Sequence, residues 1–423
     1  MLAAEMATRR ALIIGGSVGG LFAAHMLGRI GWEVDVFERA REDLAGRGAG
    51  IGTHPALGEV MRQLGLAVDE SLCVATGSYV CWDNADRLIH EVRLQRMMSA
   101  WAPLYRALRD NLRGPRYHRG MECIDVRSDA GSATARFADG SEARGDLLIA
   151  AEGLRSTVRA RLLPELQPAY AGYVAWRALL PESEAVRASR DILERDYLFF
   201  CVPEGSLALC YTVPARDGDL RVGHRDYNCA WYRPVDEAEL AELCTDTSGK
   251  CHGTSIPPPL IRPEVVADFR RSARAELTSP MADVATRAGQ PFFQAIYDLA
   301  SPRLVFGRVA LSGDAAFVAR PHVGAGVTKA ALDAVCLATA IAGHGGDLDA
   351  ALARYGSERQ RFGDWIVGRG RDLGASIGMR AGAGARLGRE ELDRRAAAVV
   401  SAYAANADEL SRLTVDGGIP GSV

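Results

Sequence analysis

Two rhythms of hydrophobic residues run through this chain, and they divide it into zones. Near the start, "ALII" is a continuous apolar run of the kind a buried strand shows, and Leu21 to Gly31 carries apolar residues at helical spacing. A second, alternating strand follows at Val34 to Phe37. Far downstream the same succession returns. A strand at Val309 to Leu311 runs into Gly313-Asp314, then a loop holding Pro321, then Gly324-Ala325-Gly326 at the head of an alanine-rich helix. Between these zones the period changes to two. "YLFFCVPEGSLALCYTVP" and "LRVGHRDYNCAWYRPV" alternate and are broken by turn residues, as strands of a mixed sheet do. "FADGS" (Phe137 to Ser141) marks a hairpin with an Asp-Gly turn. "SIPPPLIRPEVV" reads as a rigid connector without regular structure, because prolines lack the N–H that helices and ladders use. The stretch after Arg380 reads as helical and peripheral. The fold class is therefore α/β, a Rossmann-like domain with a mixed β-sheet domain and C-terminal helices.

Composition adds little beyond class. With 423 residues, 48% hydrophobic and 24% charged, the chain suits a globular protein of roughly two or three domains. A net charge of −3 gives no reason to expect nucleic acid or an anionic membrane as partner. The nine cysteines include no CxxC pair, so reduced thiols in a cytoplasmic protein are expected and no metal site is. Arg9 and Arg10 ahead of an apolar stretch mimic a secretion signal, but the segment flows into a strand. No other stretch looks long and apolar enough to cross a bilayer, which takes ~20 residues.

The chemistry concentrates in the two strand–turn–helix zones. Gly15 permits a tight turn and Gly20 lets the helix lie close to the strands. Ser17 stands where the Gly-x-Gly-x-x-Gly dinucleotide fingerprint has its second glycine. Serine is small, and its hydroxyl can donate to a phosphate oxygen seated on the free N–H groups of the helix start. Glu38, at the end of the second strand, is placed to accept from ribose hydroxyls. Asp314, at a strand end, is placed to bind a polyol hydroxyl or to cap a turn.

With these segments in order, and "AAEGLRSTVR" between them, the chain resembles the class A flavin-dependent aromatic hydroxylases of the para-hydroxybenzoate hydroxylase superfamily. "GGSVGGL", "AGYVAWRALLP", "CAWYRPV" and "ARPHVGAGVTKA" are most similar to the 2,6-dihydroxypyridine 3-hydroxylase branch, in which a serine in the fingerprint is familiar. The resemblance spans about residues 9 to 370. It implies that Gly15, Ser17, Val18, Gly19 and Gly20 hold the FAD pyrophosphate, with Glu38 on the adenosine ribose and Arg39 beside the adenine. By the same pattern Arg47 reaches the ribose or ring side, Cys123 flanks the adenine through its backbone, and Glu152 belongs to the second motif. Gly313 and Asp314 would bind the ribitol chain, and Gly324, Ala325, Gly326 and Val327 would border the pyrimidine end. Two departures stand out. Glu152-Gly153 replaces the usual Asp-Gly, and Trp101 occupies a helix position where many relatives carry arginine. Arg113, Arg116 and Arg119 nearby read as a solvated basic face.

The implied chemistry is reduction of FAD by NADH or NADPH, addition of O2 at flavin C4a, and hydroxyl transfer from the hydroperoxide to an electron-rich aromatic or N-heteroaromatic ring. Pro321 and His322 would line the space above the flavin, with His322 orienting or deprotonating the substrate, or merely packing the loop. Tyr211, His224, Trp231 and Tyr232 supply candidate substrate contacts, of which alternation turns only about half inward. The flavin domain would be discontinuous, residues 1–76, 101–165 and 275–375, with 77–100 and 166–274 as the substrate sheet and 376–423 as a helical tail. A homodimer stays open. So do a flavoprotein reductase or dehydrogenase and a non-catalytic flavin-binding regulator, since fold does not fix chemistry. A flavin-dependent halogenase does not, because "VAWRALLP" lacks the Trp-x-Trp-x-Ile-Pro signature.

Overall fold

The computed structural model describes residues 8–46, 48–66, 72–378 and 388–415. Arg47 therefore lies outside the described residues. The described strands form three sheets. The first runs, in chain order, through β1 (Arg10–Ile14), β2 (Glu33–Glu38), β6 (Arg116–Arg119), β10 (Leu147–Ala150), β16 (Val305–Phe306) and β17 (Val309–Leu311). The second contains β3 (Gly50–Gly52), β4 (Val74–Trp82), β5 (Leu88–Ala100), β11 (Ala169–Pro181), β12 (Tyr197–Cys201), β13 (Leu207–Val213), β14 (Asp226–Pro234), β15 (Phe292–Ala300) and β18 (Phe317–Val318). A small third sheet joins β7 (Cys123–Ser128), β8 (Ala133–Phe137) and β9 (Glu142–Gly145). The helices are α1 (Val18–Arg29), α2 (Pro55–Gln63), α3 (Trp101–Asp110), α4 (Thr157–Leu162), α5 (Arg187–Leu193), α6 (Glu237–Leu243), α7 (Pro263–Glu276), α8 (Ser279–Arg287), α9 (Gly326–Gly343), α10 (Leu348–Ser376) and α11 (Arg389–Ser411).

In the first sheet β6, β2, β1, β10 and β17 lie side by side and parallel, and only β16 is antiparallel. A parallel sheet is covered on both faces, which is why "ALII" is apolar throughout. β2 departs from the half-exposed alternation its sequence suggests. Only Glu33 is exposed, and the polar Asp35 is buried at 1%. Arg10, Arg116 and His118 surround its carboxylate and hold it well below the usual carboxylate range against the cost of burial. Arg116 is thus partly engaged, and Arg119 pairs with Asp43, although both arginines and Arg113 lie on an exposed face as expected.

The second sheet is antiparallel except where β12 meets β4, and its pleat separates two cores. Val174, Trp176, Ala178, Phe199, Cys210, Cys229 and Trp231 face the layer formed by α7 and α8. Tyr173, Ala175, Phe200, Leu209, Tyr211, Ala230 and Tyr232 face the main core. The nine cysteines are all free thiols, eight of them buried.

Three expectations need correction. The proline-rich connector is not irregular throughout, since Pro258–Leu260 form a 3₁₀ turn and Pro263 starts α7. Proline suits that first helical position because its missing N–H would have no partner there. The C-terminal helix is not peripheral, since α11 packs on β4, β5 and α10 and buries Val399, Val400, Tyr403 and Ala407. Finally, α9 does reach membrane-span length, 18 residues at mean hydropathy 1.3, but it is packed between α1, α2 and α10.

Inside α9, Asp333 accepts from the Gly313 N–H at 2.8 Å and from Arg359 Nε of α10 at 2.7 Å, with both side chains almost fully buried. This pair ties the turn after β17 to two helices. Replacing Asp333 by alanine leaves a buried guanidinium unpaired, so it should destabilise the protein by about 3–5 kcal/mol in chemical denaturation.

Candidate active site

The strand ends build the first half of the site. Gly15 adopts φ +105°, and a Cβ there would lie 2.5 Å from the Ala151 carbonyl oxygen beyond β10. At Gly20 a Cβ would fall 1.9 Å from the Gly15 oxygen, so neither position admits a side chain. Ser17 caps α1 with extended backbone, and its hydroxyl makes no capping hydrogen bond. The N–H groups of the first turn of α1 lack intrahelical acceptors, which is what an anion at this point needs. Glu38 is buried, and its carboxylate braces the loop by accepting from Gly16 N and Ala40 N, each at 2.8 Å.

A cavity of about 380 Å³ opens over these strand ends, bordered by Gly15, Ser17, Val18, Gly19, Glu38, Arg39, Cys123, Glu152, Gly313 and Asp314. Burial pushes the Cys123 thiol up to about 12, so it stays protonated. The extra methylene of Glu152 finds a use. Its carboxylate caps α4, accepting from Ser156 Oγ at 2.5 Å and Thr157 N at 3.0 Å. Trp101 borders this cavity too, stacked on Tyr105 at 4.8 Å, so α3 presents an aromatic face at that position.

The second half lies under the large sheet. A cavity of about 280 Å³ adjoins the first, and Asp314, Gly326 and Val327 line both. Gly324 and Ala325 border it as well. Gly324, at φ +62°, ends the 3₁₀ turn Pro321–Val323 and lets α9 begin. Lys329 of α9, 1% exposed, brings its Nζ to 3.2 Å from Asp314 Oδ1 at the junction of the two cavities.

Of the four aromatic candidates on the sheet, Tyr211 and Tyr232 line this cavity, while Trp231 and His224 do not. Trp231 alternates with Tyr232 and faces the other core, donating to Ser206 Oγ at 3.2 Å. His224 is exposed in a turn ahead of β14. Buried Glu182 accepts from Gly223 N and from the Arg225 side chain, which holds the turn carrying His224 at the end of the ladder, outside the cavity.

Pro321 and His322 also line the cavity. The His322 ring is buried, with Tyr173 Oη 2.7 Å from Nε2 and Tyr403 Oη hydrogen-bonded to Nδ1, while the Tyr232 ring packs at 4.5 Å. Burial, aided by the positive charge of Arg320 and Arg177, lowers its pKa to about 3. The imidazole is neutral, with one N–H and one lone pair, so one tyrosine donates to it and the other accepts. Several lining residues went unforeseen: Arg96, Arg177, Lys329, Tyr403 and Asn406. An arginine inside the apolar strand "AGYVAWRALLP" was the one available signal.

A phosphate-ready glycine turn, an acid at the end of β2, and a ring-sized cavity at a helix start define a flavin-binding enzyme class. The comparisons agree. A family described as FAD binding domain-like matches residues 170–298. The 2,6-dihydroxypyridine 3-monooxygenase of Paenarthrobacter nicotinovorans is 33% identical over 334 residues, 78% of this chain and 82% of that protein. The FAD-dependent urate hydroxylase of Klebsiella pneumoniae is 28% identical, covering 83% of this chain and 85% of its own length. The solved 2,6-dihydroxypyridine-3-hydroxylase of Arthrobacter nicotinovorans superposes with a TM-score of 0.82 at 30% identity, covering 90% of this chain and 95% of that one. The chain belongs to the FAD-dependent aromatic hydroxylases, in the branch of the 2,6-dihydroxypyridine 3-hydroxylases.

Because His322 is held neutral when folded but has an ordinary pKa near 6.5 when unfolded, the unfolded chain takes up its proton first as pH falls. Stability is therefore full above about pH 6.5 and declines below it. Buried His54, also lowered, adds to the same slope. Thermal midpoints should drop between pH 7 and pH 5, and the drop should be shallower in His322→Gln.

Proposed function

We propose that the enzyme uses NADH or NADPH and dioxygen to hydroxylate a small, electron-rich aromatic or N-heteroaromatic substrate. The observation that supports this most is the junction itself. The cavity over the glycine turn and the ring-sized cavity under the sheet share Asp314, Gly326 and Val327, so one elongated cofactor fits both. FAD, when bound and reduced, supplies the activation of oxygen. The chain's own residues do the rest. Ser17, Val18, Gly19 and Gly20 offer backbone N–H groups and a serine hydroxyl to the pyrophosphate, while Gly15, whose own N–H is donated to Phe37 O at 2.8 Å, makes the turn that lets it approach. Glu38, Arg39 and the backbone at Cys123 take the adenosine end, with Glu152 bracing the wall through α4. Gly313 and Asp314 take the polyol, and Gly324 to Val327 place the N-terminal dipole of α9 against the pyrimidine edge, where Lys329 adds a buried cation.

The substrate ring lies under Tyr211 and Tyr232, against Pro321 and His322. The neutral imidazole, with both nitrogens engaged by the Tyr173 and Tyr403 hydroxyls, fixes this wall of the cavity, which suits the orientation of a ring hydroxyl. The sheet above and α11 beside it wall this cavity. The sequence carries no second dinucleotide fingerprint, which fits brief visits by the nicotinamide cofactor along the surface. In this reading residues 1–76, 101–165 and 275–375 form the flavin domain and 77–100 with 166–274 the substrate sheet, in a cytoplasmic enzyme.

The purified protein should be yellow, and NADH or NADPH oxidation should rise with a phenol, pyridinol or purine, together with oxygen uptake and a hydroxylated product. Substrate-stimulated oxidation without product would instead mark a reductase. His322→Ala should lower product formed per NAD(P)H consumed, with turnover falling by about 100-fold if the imidazole moves the proton. Unchanged coupling and an unchanged pH profile would remove His322 from the mechanism.

A further inference from the structure

The ring-sized cavity has an unusual charge balance. Arg96, Arg177, Arg320 and Lys329 line it, against one carboxylate, Asp314, which sits beside Lys329. Arg320 is matched by Asp298 behind the wall. Among the described residues, no carboxylate lies within 4.0 Å of Arg96 or Arg177.

Arg96 is also held in a fixed pose. Its Nη1 donates to the Ala407 carbonyl of α11 at 3.2 Å, and its Nη2 is 3.1 Å from His54 Nε2. A guanidinium only donates, so His54 Nε2 accepts, and the ring proton is on Nδ1, donating to Thr328 Oγ1 at 3.0 Å. Burial and the neighbouring arginine both keep His54 in this neutral form. The Arg96 Nε–H remains buried without an acceptor.

One residue from the Ala407 carbonyl, Asn406 presents the complementary defect. It is 3% exposed, its Nδ2 donates to the Val323 carbonyl at 3.4 Å, and its Oδ1 has no donor, although the side chain lines the same cavity. A buried amide oxygen without a donor and a buried guanidinium N–H without an acceptor cost free energy until a ligand satisfies them.

We propose that Asn406 and Arg96 form a specificity subsite for the lactam-like edge of a hydroxylated N-heteroaromatic ring, Asn406 Oδ1 accepting the ring N–H and Arg96 donating to the adjacent ring oxygen. This deepens the hydroxylase reading and rests on it. A carbocyclic phenol of the same size fills the cavity but brings no ring N–H, so Asn406 Oδ1 stays unpaired. An N-methylated ring keeps the oxygen and loses the donor. Discrimination by a site built to bond a polar group is steep, because the analogue lacking that group leaves buried polar atoms unsatisfied.

The test is equilibrium dialysis of the FAD-loaded protein against 2,6-dihydroxypyridine, its N-methyl derivative and resorcinol, with product analysis run alongside. The native protein should bind dihydroxypyridine at least about tenfold more tightly than either analogue. Asn406→Leu should collapse that ratio towards one, with resorcinol affinity and FAD content unchanged, whereas Arg96→Met should weaken all three ligands, which share the ring oxygen, and leave the ratio in place. If Arg96→Met fails to fold, Asn406→Leu alone carries the result. No preference in the native protein, or equal weakening of all three ligands in folded Asn406→Leu, overturns the proposal. Preference without any hydroxylated product would instead sink the hydroxylase reading and leave the subsite standing. Resorcinol hydroxylated and bound as well as the pyridine would do the reverse.

Discussion

The parallel register of β2, β1, β10 and β17 is the constraint on which the whole site depends. Each strand ends at the same edge of the sheet, and the chain leaves that edge through Glu38, Gly15, Glu152 and Asp314 in turn. Backbone bonds continue the ladder one step past the strands, from Ala151 N to Ile14 O at 2.7 Å and from Ser312 N to Ala150 O at 2.9 Å. Residues nearly three hundred positions apart are thereby held within one hydrogen-bonded lattice. Ligands of open α/β sheets bind outside the carboxyl ends of the strands for this reason. A slip of one residue in β17 would carry Asp314 away from both cavities at once.

Charge is distributed to suit that edge. Cations gather around the ring-sized cavity, while the two histidines near it, His54 and His322, are kept neutral by burial and by neighbouring arginines. Neutral imidazoles can serve as acceptors and relays where a further positive charge would be repelled. The carboxylates that matter are tied into structure: Glu38 to the glycine loop, Glu152 to α4 and Asp333 to the turn before Asp314. The loops that meet the cofactor are braced from behind by these bonds.

Much of this was legible in the amino-acid sequence, and the failures have physical causes. The strand–turn–helix zones were readable because Gly15 and Gly20 sit where a side chain cannot fit, a requirement that shows in sequence. The inward or outward choice between Trp231 and Tyr232 was not readable, because period-two alternation fixes parity but not which parity faces the cavity. His224 was misplaced because the clamp of Glu182 on Gly223 and Arg225 joins residues about forty positions apart and leaves no local pattern. Arg96, Lys329 and Asn406 escaped notice for a related reason. Each reads as a routine polar residue on its own element, and only packing shows that it is buried against the same space.

The placement of α11 has a consequence of a different kind. Helix α11 supplies Tyr403, Asn406 and Ala407 to the ring-sized cavity, yet it lines no part of the cavity over the glycine turn. One wall of that cavity is therefore carried by a helix late in the chain, packed on β4, β5 and α10. Rewriting α11 would change the lining of one cavity and leave that of the other as it is, much as a lock can be rekeyed without rebuilding the door.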